Sequence, residues 1–465
     1  MGITEWGVNS SPEWTRLLES YKASGLREDA EDYALYRKMR DFNQHRYEES
    51  HIRDQGFPTF ESLQVASRDH VAWRYHEQMT LYWGNLHSVG HGLTAFEDSS
   101  YEVSGVVDIW RVPKPVVFDT ITELNRPLQI NLWVRPSSLY VGDELGFDAT
   151  LVNERQRLAA GNYPVKLQLL DSRKHVVFEK KYDHVTGSEP IEHLITDSVT
   201  PQVGHGEFKL VVTLDGGGRQ LRAERDVILF ERKPKALKSD HKVWIWDQDD
   251  VLQKWLAERS LTGGAGDASS VRPGDVMLIL KADRAQLPAI QVAIRGGGRA
   301  LILRPEEILS GDMPSVPAPD ANYSALLEPV SGKWKPELRK IDWWGAPGAW
   351  GYGRTALALE HAYLTGLPQG KAFEAQPAYQ RIAPGYTWLM DGQPSDLLIG
   401  HAVRESNLAV DIPYPSDLCS MTAGSGKLVL TTLRIGEHLS KDPAADTILE
   451  NVLADLIAGD NNHAG

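Results

Sequence analysis

Cysteine is almost absent: Cys419 is the only one in 465 residues, which excludes an intrachain disulfide and any multi-thiolate zinc or iron–sulfur site. Cohesion must therefore come from packing. No run of about 18 apolar residues is present, so no helical membrane span is expected, and the first residues lack a basic start followed by an apolar stretch. That leaves the compartment unreadable. Basic residues are outnumbered, 49 against 63 acidic, for a net charge of −14. The mean field repels phosphate, so neither nucleic acid nor an anionic membrane is expected as a partner, while neutral and cationic small ligands remain open. What the chain does have is a hydrophobic fraction of 42%, 14 tryptophans and a length that predicts two to four domains.

Three segments follow one another. Residues 1–118 read as helix-rich. Ser11-Pro12-Glu13-Trp14 predicts a helix start with Ser as N-cap and Pro at the first helical position, and Trp14, Leu17, Leu18 and Tyr21 give it one apolar face. A long helix is predicted over 60–83, stopped by Gly84 and Asn85, with a short strand over 89–96 ending in Glu97-Asp98. Residues 119–232 switch to period two, with strands predicted at 129–134, 145–153, 163–170, 176–182, 191–197, 206–214 and 221–230. Seven strands make an immunoglobulin-like β-sandwich count. Beyond the basic, Pro-broken hinge Glu231-Arg232-Lys233-Pro234-Lys235, residues 236–460 alternate strands (242–246, 276–280, 300–303, 428–433) with helices (249–258, 284–295, 443–458). That order predicts an α/β domain with a parallel sheet.

Glu5 leads the candidate catalytic residues, because a carboxylate at the carboxyl end of a short strand, followed by Trp6 and Gly7, stands where barrel enzymes place reacting groups. A second constellation runs Gly92-Leu93-Thr94-Ala95-Phe96-Glu97-Asp98-Ser99-Ser100-Tyr101-Glu102-Val103-Ser104-Gly105-Val106-Val107-Asp108 and closes in Arg111-Val112-Pro113-Lys114. This stretch resembles the last barrel strand and following loop of family 2 glycoside hydrolases of the β-galactosidase, β-glucuronidase and β-mannosidase type. With that register fixed, Ile3-Thr4-Glu5-Trp6-Gly7 falls on the preceding barrel strand, and Glu5 matches the family's nucleophile.

The resemblance implies that residues 1–118 are the last strands of a (β/α)8 barrel and that the family's activity is retaining hydrolysis of a β-glycoside, with a carbohydrate as substrate. Such a reaction needs a second carboxylic acid about 5 Å from the nucleophile. In the family that residue lies well upstream, where this chain has only four residues before Glu5. A truncated reading frame is one expectation and a short edge strand near a true N-terminus the other. The chain alone is expected to be inactive, with a partner chain supplying the rest of the barrel; the alternative is a non-catalytic carbohydrate-binding or assembly module. Ala95 departs from the Thr-Glu that related sequences often carry, which leaves Glu97 and Asp98 as candidate contacts to sugar hydroxyls, and Trp6, Trp83 and Trp110 as stacking platforms.

His87 and His91 are four apart, but the intervening glycine breaks the helical face a metal pair needs, and no metal or organic cofactor is indicated. Gly424-Ser425-Gly426-Lys427 lacks the first glycine of a phosphate loop, Met421 standing in its place. The last segment looks like the class I glutamine amidotransferase-like (flavodoxin-like) domain appended to some glycosidases. Cys419 sits in Asp417-Leu418-Cys419-Ser420 without the flanking glycines of a nucleophile elbow, so this domain is expected to be a silent scaffold. An aromatic patch is expected at Trp343-Trp344 with Trp350 and Tyr352.

Overall fold

A computed structural model describes residues 2–6, 10–26, 30–50, 52–88, 90–93, 95–99, 103–187, 189–216, 218–247, 250–303, 337–340, 354–384, 386–390, 396–404 and 414–459. The expected aromatic patch around Trp343 and Trp350 lies outside them. The protein is multidomain and β-rich, with mixed sheets. Among the described residues no helix is long and apolar enough to cross a membrane.

The first segment runs β1 (Gly2–Trp6), α1 (Trp14–Ala23), α2 (Glu31–Glu49), α3 (Phe60–Trp83), β2 (Gly90–Leu93) and α4 (Val117–Leu124). β1 and β2 pair in parallel, Gly2 opposite Gly90 and Trp6 opposite Leu93, with the three long helices between them in sequence. Helix α3 begins where the sequence predicts and is fixed there by a reciprocal cap. Thr59 Oγ1 accepts from the Ser62 N–H at 3.1 Å and the Thr59 N–H reaches Ser62 Oγ at 3.3 Å. Helix α1 departs from expectation. It starts at Trp14 with no side-chain cap: Ser11 is buried, its N–H donates to Ser67 Oγ on α3 at 3.1 Å, and its hydroxyl donates to Pro12 O at 3.4 Å instead of accepting from a helix N–H. Helix α2, which the sequence did not announce, buries Tyr33, Tyr36, Met39 and Tyr47 on one face. They join Trp14, Leu17, Tyr21 and Leu63 in one cluster, which also takes in Leu357 and Leu359 from the far end of the chain.

Strands β3 (Leu128–Arg135), β4 (Ser138–Tyr140), β5 (Leu145–Asn153), β6 (Gly161–Asp171), β7 (Val176–Thr186), β8 (Ile191–Val199), β9 (Gly206–Gly216) and β10 (Arg219–Phe230) form two sheets, β3-β5-β8 and β4-β10-β9-β6-β7. Leu132, Phe147, Ala149 and Leu151 of one sheet and Val165, Leu167, Leu210 and Val212 of the other share one core, the alternation that period-two strands impose. The additional strand is β4. At three residues it is too short to show a period, and it pairs in parallel with β10.

The last segment builds one mixed sheet from β11 (Val243–Trp246), α5 (Val251–Ala257), β12 (Gly263–Ala265), β13 (Val276–Ile279), α6 (Leu287–Arg295), β14 (Arg299–Ile302), β15 (Glu337–Lys340), β16 (Arg354–Ala358), β17 (Lys371–Ala372), β18 (Tyr386–Met390), β19 (Asp396–Arg404), β20 (Tyr414–Ala423), β21 (Gly426–Thr431), α7 (Ile435–His438) and α8 (Pro443–Ala458). Its parallel half has the order β12-β11-β13-β14-β21, a doubly wound arrangement with a switch beside β11. The expected all-parallel sheet is corrected at β21, where β20, β19 and β16 continue antiparallel. The β20–β21 hairpin makes that reversal. Gly424 has φ +64°, and a Cβ there would meet the Arg295 carbonyl oxygen at 2.7 Å, so the glycines of Gly424-Ser425-Gly426 serve a turn seated on the end of α6.

Candidate functional site

The pairing of β1 with β2 places Glu5 next to last in a strand whose carboxyl end lies beside that of its parallel neighbour. The side chains of Glu5 and Trp6 are outside the described residues. Downstream of β2 the chain folds into a loop closed on itself: Glu97 bridges to Val107, the Asp98 N–H donates to Val107 O, and the Lys114 N–H donates to Val106 O.

The centre of this loop is a buried ion pair. Lys114 Nζ donates to Asp98 Oδ1 at 2.7 Å, to Ser10 O at 3.0 Å, to Ser10 Oγ at 3.1 Å and to Val103 O at 2.8 Å. Asp98 Oδ1 also accepts the Gly105 N–H at 2.9 Å. The two side chains are 2% and 0% exposed, so neither is offered to a ligand. Burial pushes the Asp98 carboxyl up to about 6, with the Lys114 charge and the Gly105 N–H pulling it partly back. Asp108, fully buried, anchors the exit. It accepts the Trp110 and Val112 N–H groups on Oδ1 and the Arg16 guanidinium on Oδ2 at 2.6 Å, tying the loop to α1.

The structure thus separates the residues that the sequence grouped. Asp98 holds the loop from inside. Trp110 donates its indole N–H to Leu17 O at 3.1 Å and meets the Tyr21 ring edge-on at 4.9 Å, so its ring is engaged in packing. Trp83 is buried, with its N–H on Leu124 O. Glu97 lies at the rim, partly exposed, its Oε2 accepting from Arg111 Nε at 3.2 Å. Sequence reasoning passed over Lys114 as the partner of Asp98 and Ser10 as a partner of Lys114; the Arg-x-Pro-Lys exit was the signal present, and nothing at Ser10 marked it. Cys419 is buried within β20 opposite Leu430, away from any turn that would present a nucleophile. Among the described residues no group of three or more His, Cys, Asp or Glu side chains is placed to hold a metal ion.

No protein-family model matches the chain, and no curated protein matches its sequence. Solved structures do. A β-D-mannosidase from Dictyoglomus thermophilum aligns at 14% identity and TM-score 0.35 over 51% of this chain and 30% of that one. A β-glucuronidase from Parabacteroides merdae aligns at 11% identity and TM-score 0.16 over 37% of this chain and 24% of that one. A CARDB domain from Pyrococcus furiosus aligns at 14% identity and TM-score 0.18 over 22% of this chain and 87% of that one. The chain thus spans about 30% of the length of the mannosidase, and none of these scores reaches 0.5.

Proposed function

We propose that the chain is a family 2 glycoside hydrolase-like protein in which Glu5 is the nucleophile of retaining β-glycoside hydrolysis. The observation that carries the reading is the place of Glu5 near the carboxyl end of β1, in parallel register with β2. In this reaction the Glu5 carboxylate attacks the anomeric carbon as the glycosidic bond breaks. A second carboxylic acid gives its proton to the leaving oxygen, and water then hydrolyses the glycosyl ester. The second acid is proposed to come from a partner chain that completes the barrel. Trp6 and Glu97 are the proposed sugar contacts, with Asp98 and Trp110 as positioning residues. The proposed units are residues 1–118 as the end of a barrel, 119–232 as an immunoglobulin-like sandwich and 236–460 as an amidotransferase-like scaffold without its own chemistry.

The test is turnover of a panel of aryl β-glycosides by the chain alone and mixed with the product of any adjoining upstream reading frame. Activity in the mixture that is lost on Glu5→Gln supports the reading. Silence of the mixture, with the partner shown to bind, overturns it in favour of a carbohydrate-binding or assembly module.

A further inference from the structure

A cleft of about 620 Å³ opens where α3 and α4 face strands β3 and β10, away from β1, β2 and the Asp98 loop, none of which contributes a lining residue. Its size is that of a small-molecule site. Its charges are balanced internally. Lys209 is held by Asp226 at 2.8 Å and by Glu224 at 3.2 Å, Glu224 also takes Arg222 at 2.8 Å, and Glu77 faces Arg135 at 3.7 Å. Arg225 donates to Glu224 O at 2.7 Å and Thr80 Oγ1 at 3.3 Å, a carbonyl and a hydroxyl rather than a carboxylate. Glu77 and Glu123 nevertheless act on it at longer range, so an anion brought to Arg225 would be repelled by them. Burial drives His76 down to about 3, so it stands in the cleft as an uncharged imidazole.

The uncharged groups are fixed in place before any ligand arrives. Gln129 commits its amide N–H to Leu124 O at 2.7 Å, which leaves its carbonyl oxygen as the acceptor side. Gln380 accepts from Ser137 Oγ at 2.7 Å on Oε1, which leaves its amide nitrogen as the donor side. Trp73 supplies an aromatic wall, and among the described residues its indole N–H has no hydrogen-bond partner. An aromatic face beside fixed amide donors and acceptors, in a cleft of balanced charge, matches a ligand with apolar C–H faces and neutral hydroxyls.

We propose that this cleft is a second site, separate from Glu5, that binds a neutral sugar or short neutral oligosaccharide with one ring against Trp73. The inference does not rest on the glycosidase reading, since no β1 residue lines the cleft. Its test is calorimetric titration of the full chain with cellotriose, mannotriose, xylotriose and maltotriose, with glucuronate as the anionic probe. At least one neutral trisaccharide should bind saturably and equally well in low and high salt. Trp73→Ala should weaken it about tenfold, the worth of a stacked aromatic contact. Thr120→Trp, which fills the cleft from the surface of α4, guards against a Trp73 variant that fails to fold and should weaken it at least as much. Glu5→Gln should leave it unchanged. The proposal is overturned if no neutral trisaccharide binds, if binding survives Thr120→Trp in a chain with normal thermal unfolding, or if only glucuronate binds, in a salt-dependent way.

Discussion

Lys114 Nζ lies 2.7 Å from Asp98 Oδ1, and the two side chains, sixteen residues apart in sequence, bury each other almost completely. Removing one partner strands the other as an uncompensated buried charge, which costs about 3–5 kcal/mol. Lys114→Met should therefore lower stability to urea by that amount. Asp98→Asn keeps an acceptor for the Gly105 N–H and leaves Lys114 its three neutral oxygens, so about 1–3 kcal/mol is expected. Equal costs for the two variants in equilibrium unfolding would show that the charge of Asp98 matters more than its hydrogen bonds.

A second buried carboxylate carries a pH signature. Asp442 caps α8 by accepting the Ala444 N–H at 2.9 Å and the Ala445 N–H at 3.2 Å, and burial pushes its carboxyl up to about 6 against those bonds and the nearby Arg381. The folded protein holds this proton more tightly than the unfolded chain does. The stability it contributes is therefore present below about pH 4 and lost as the pH rises through 6. Asp442→Asn keeps the caps and removes the titration. The stability of the native chain relative to this variant should fall by up to about 3 kcal/mol between those limits, as read from urea unfolding at several pH values. A constant gap would contradict the shift.

How far the sequence could be read depended on the range over which each signal acts. The strands from β5 to β10 each run nine residues or more, with apolar alternation such as Leu145, Phe147, Ala149 and Leu151 on β5 and Tyr163, Val165, Leu167 and Leu169 on β6, and α3 and α8 are bounded by caps and stops, so local signals sufficed to find them. The Ser11 cap failed because Ser11 is drawn into a tertiary contact, its N–H on Ser67 Oγ, and its hydroxyl turns to Pro12 O instead of to a helix N–H. The antiparallel half of the mixed sheet was illegible because β16 and β19 find each other across more than forty residues, with β17 two residues long between them. At the candidate site Glu5, Glu97 and Asp98 were visible as residue types at the end of strands, but that Asp98 faces the interior is set by Lys114, itself held by Ser10, whose approach no local pattern encodes.

Gly105 is required by space rather than by backbone conformation. A Cβ there would lie 2.3 Å from Asp98 N, 2.4 Å from Glu97 C and 2.7 Å from Val107 O, all backbone atoms that cannot swing aside. At Gly90, on β2, a Cβ would meet nothing within 4 Å among the described residues. Gly105→Ala should cost roughly 3 kcal/mol or more and Gly90→Ala less than about 1 kcal/mol in thermal or urea unfolding. Near-equal effects would mean that the loop rearranges around the methyl group.

The sandwich and the α/β segment are joined by hydrogen bonds as well as by apolar contact. Tyr140, the last residue of β4, donates its hydroxyl to Asp446 Oδ2 on α8 at 2.5 Å, and Asp446 also takes the Trp255 indole N–H on Oδ1 at 2.8 Å. Arg259 stacks over Trp255 at 3.6 Å and bonds Glu450 Oε1 at 2.8 Å, completing a buried network one helical turn along α8. A hydrogen bond to a charged acceptor contributes about 1.5–3 kcal/mol. Because its donor and acceptor lie on different segments, the loss in Tyr140→Phe should appear as weaker coupling between them. Calorimetry of the variant is expected to show two separated unfolding transitions where the native chain shows one, and limited proteolysis should cut sooner in the hinge at 231–235. A single shifted transition with unchanged cleavage would assign the bond to the stability of one segment and leave their coupling to the apolar contacts of Ile228 and Phe230 with the α/β core.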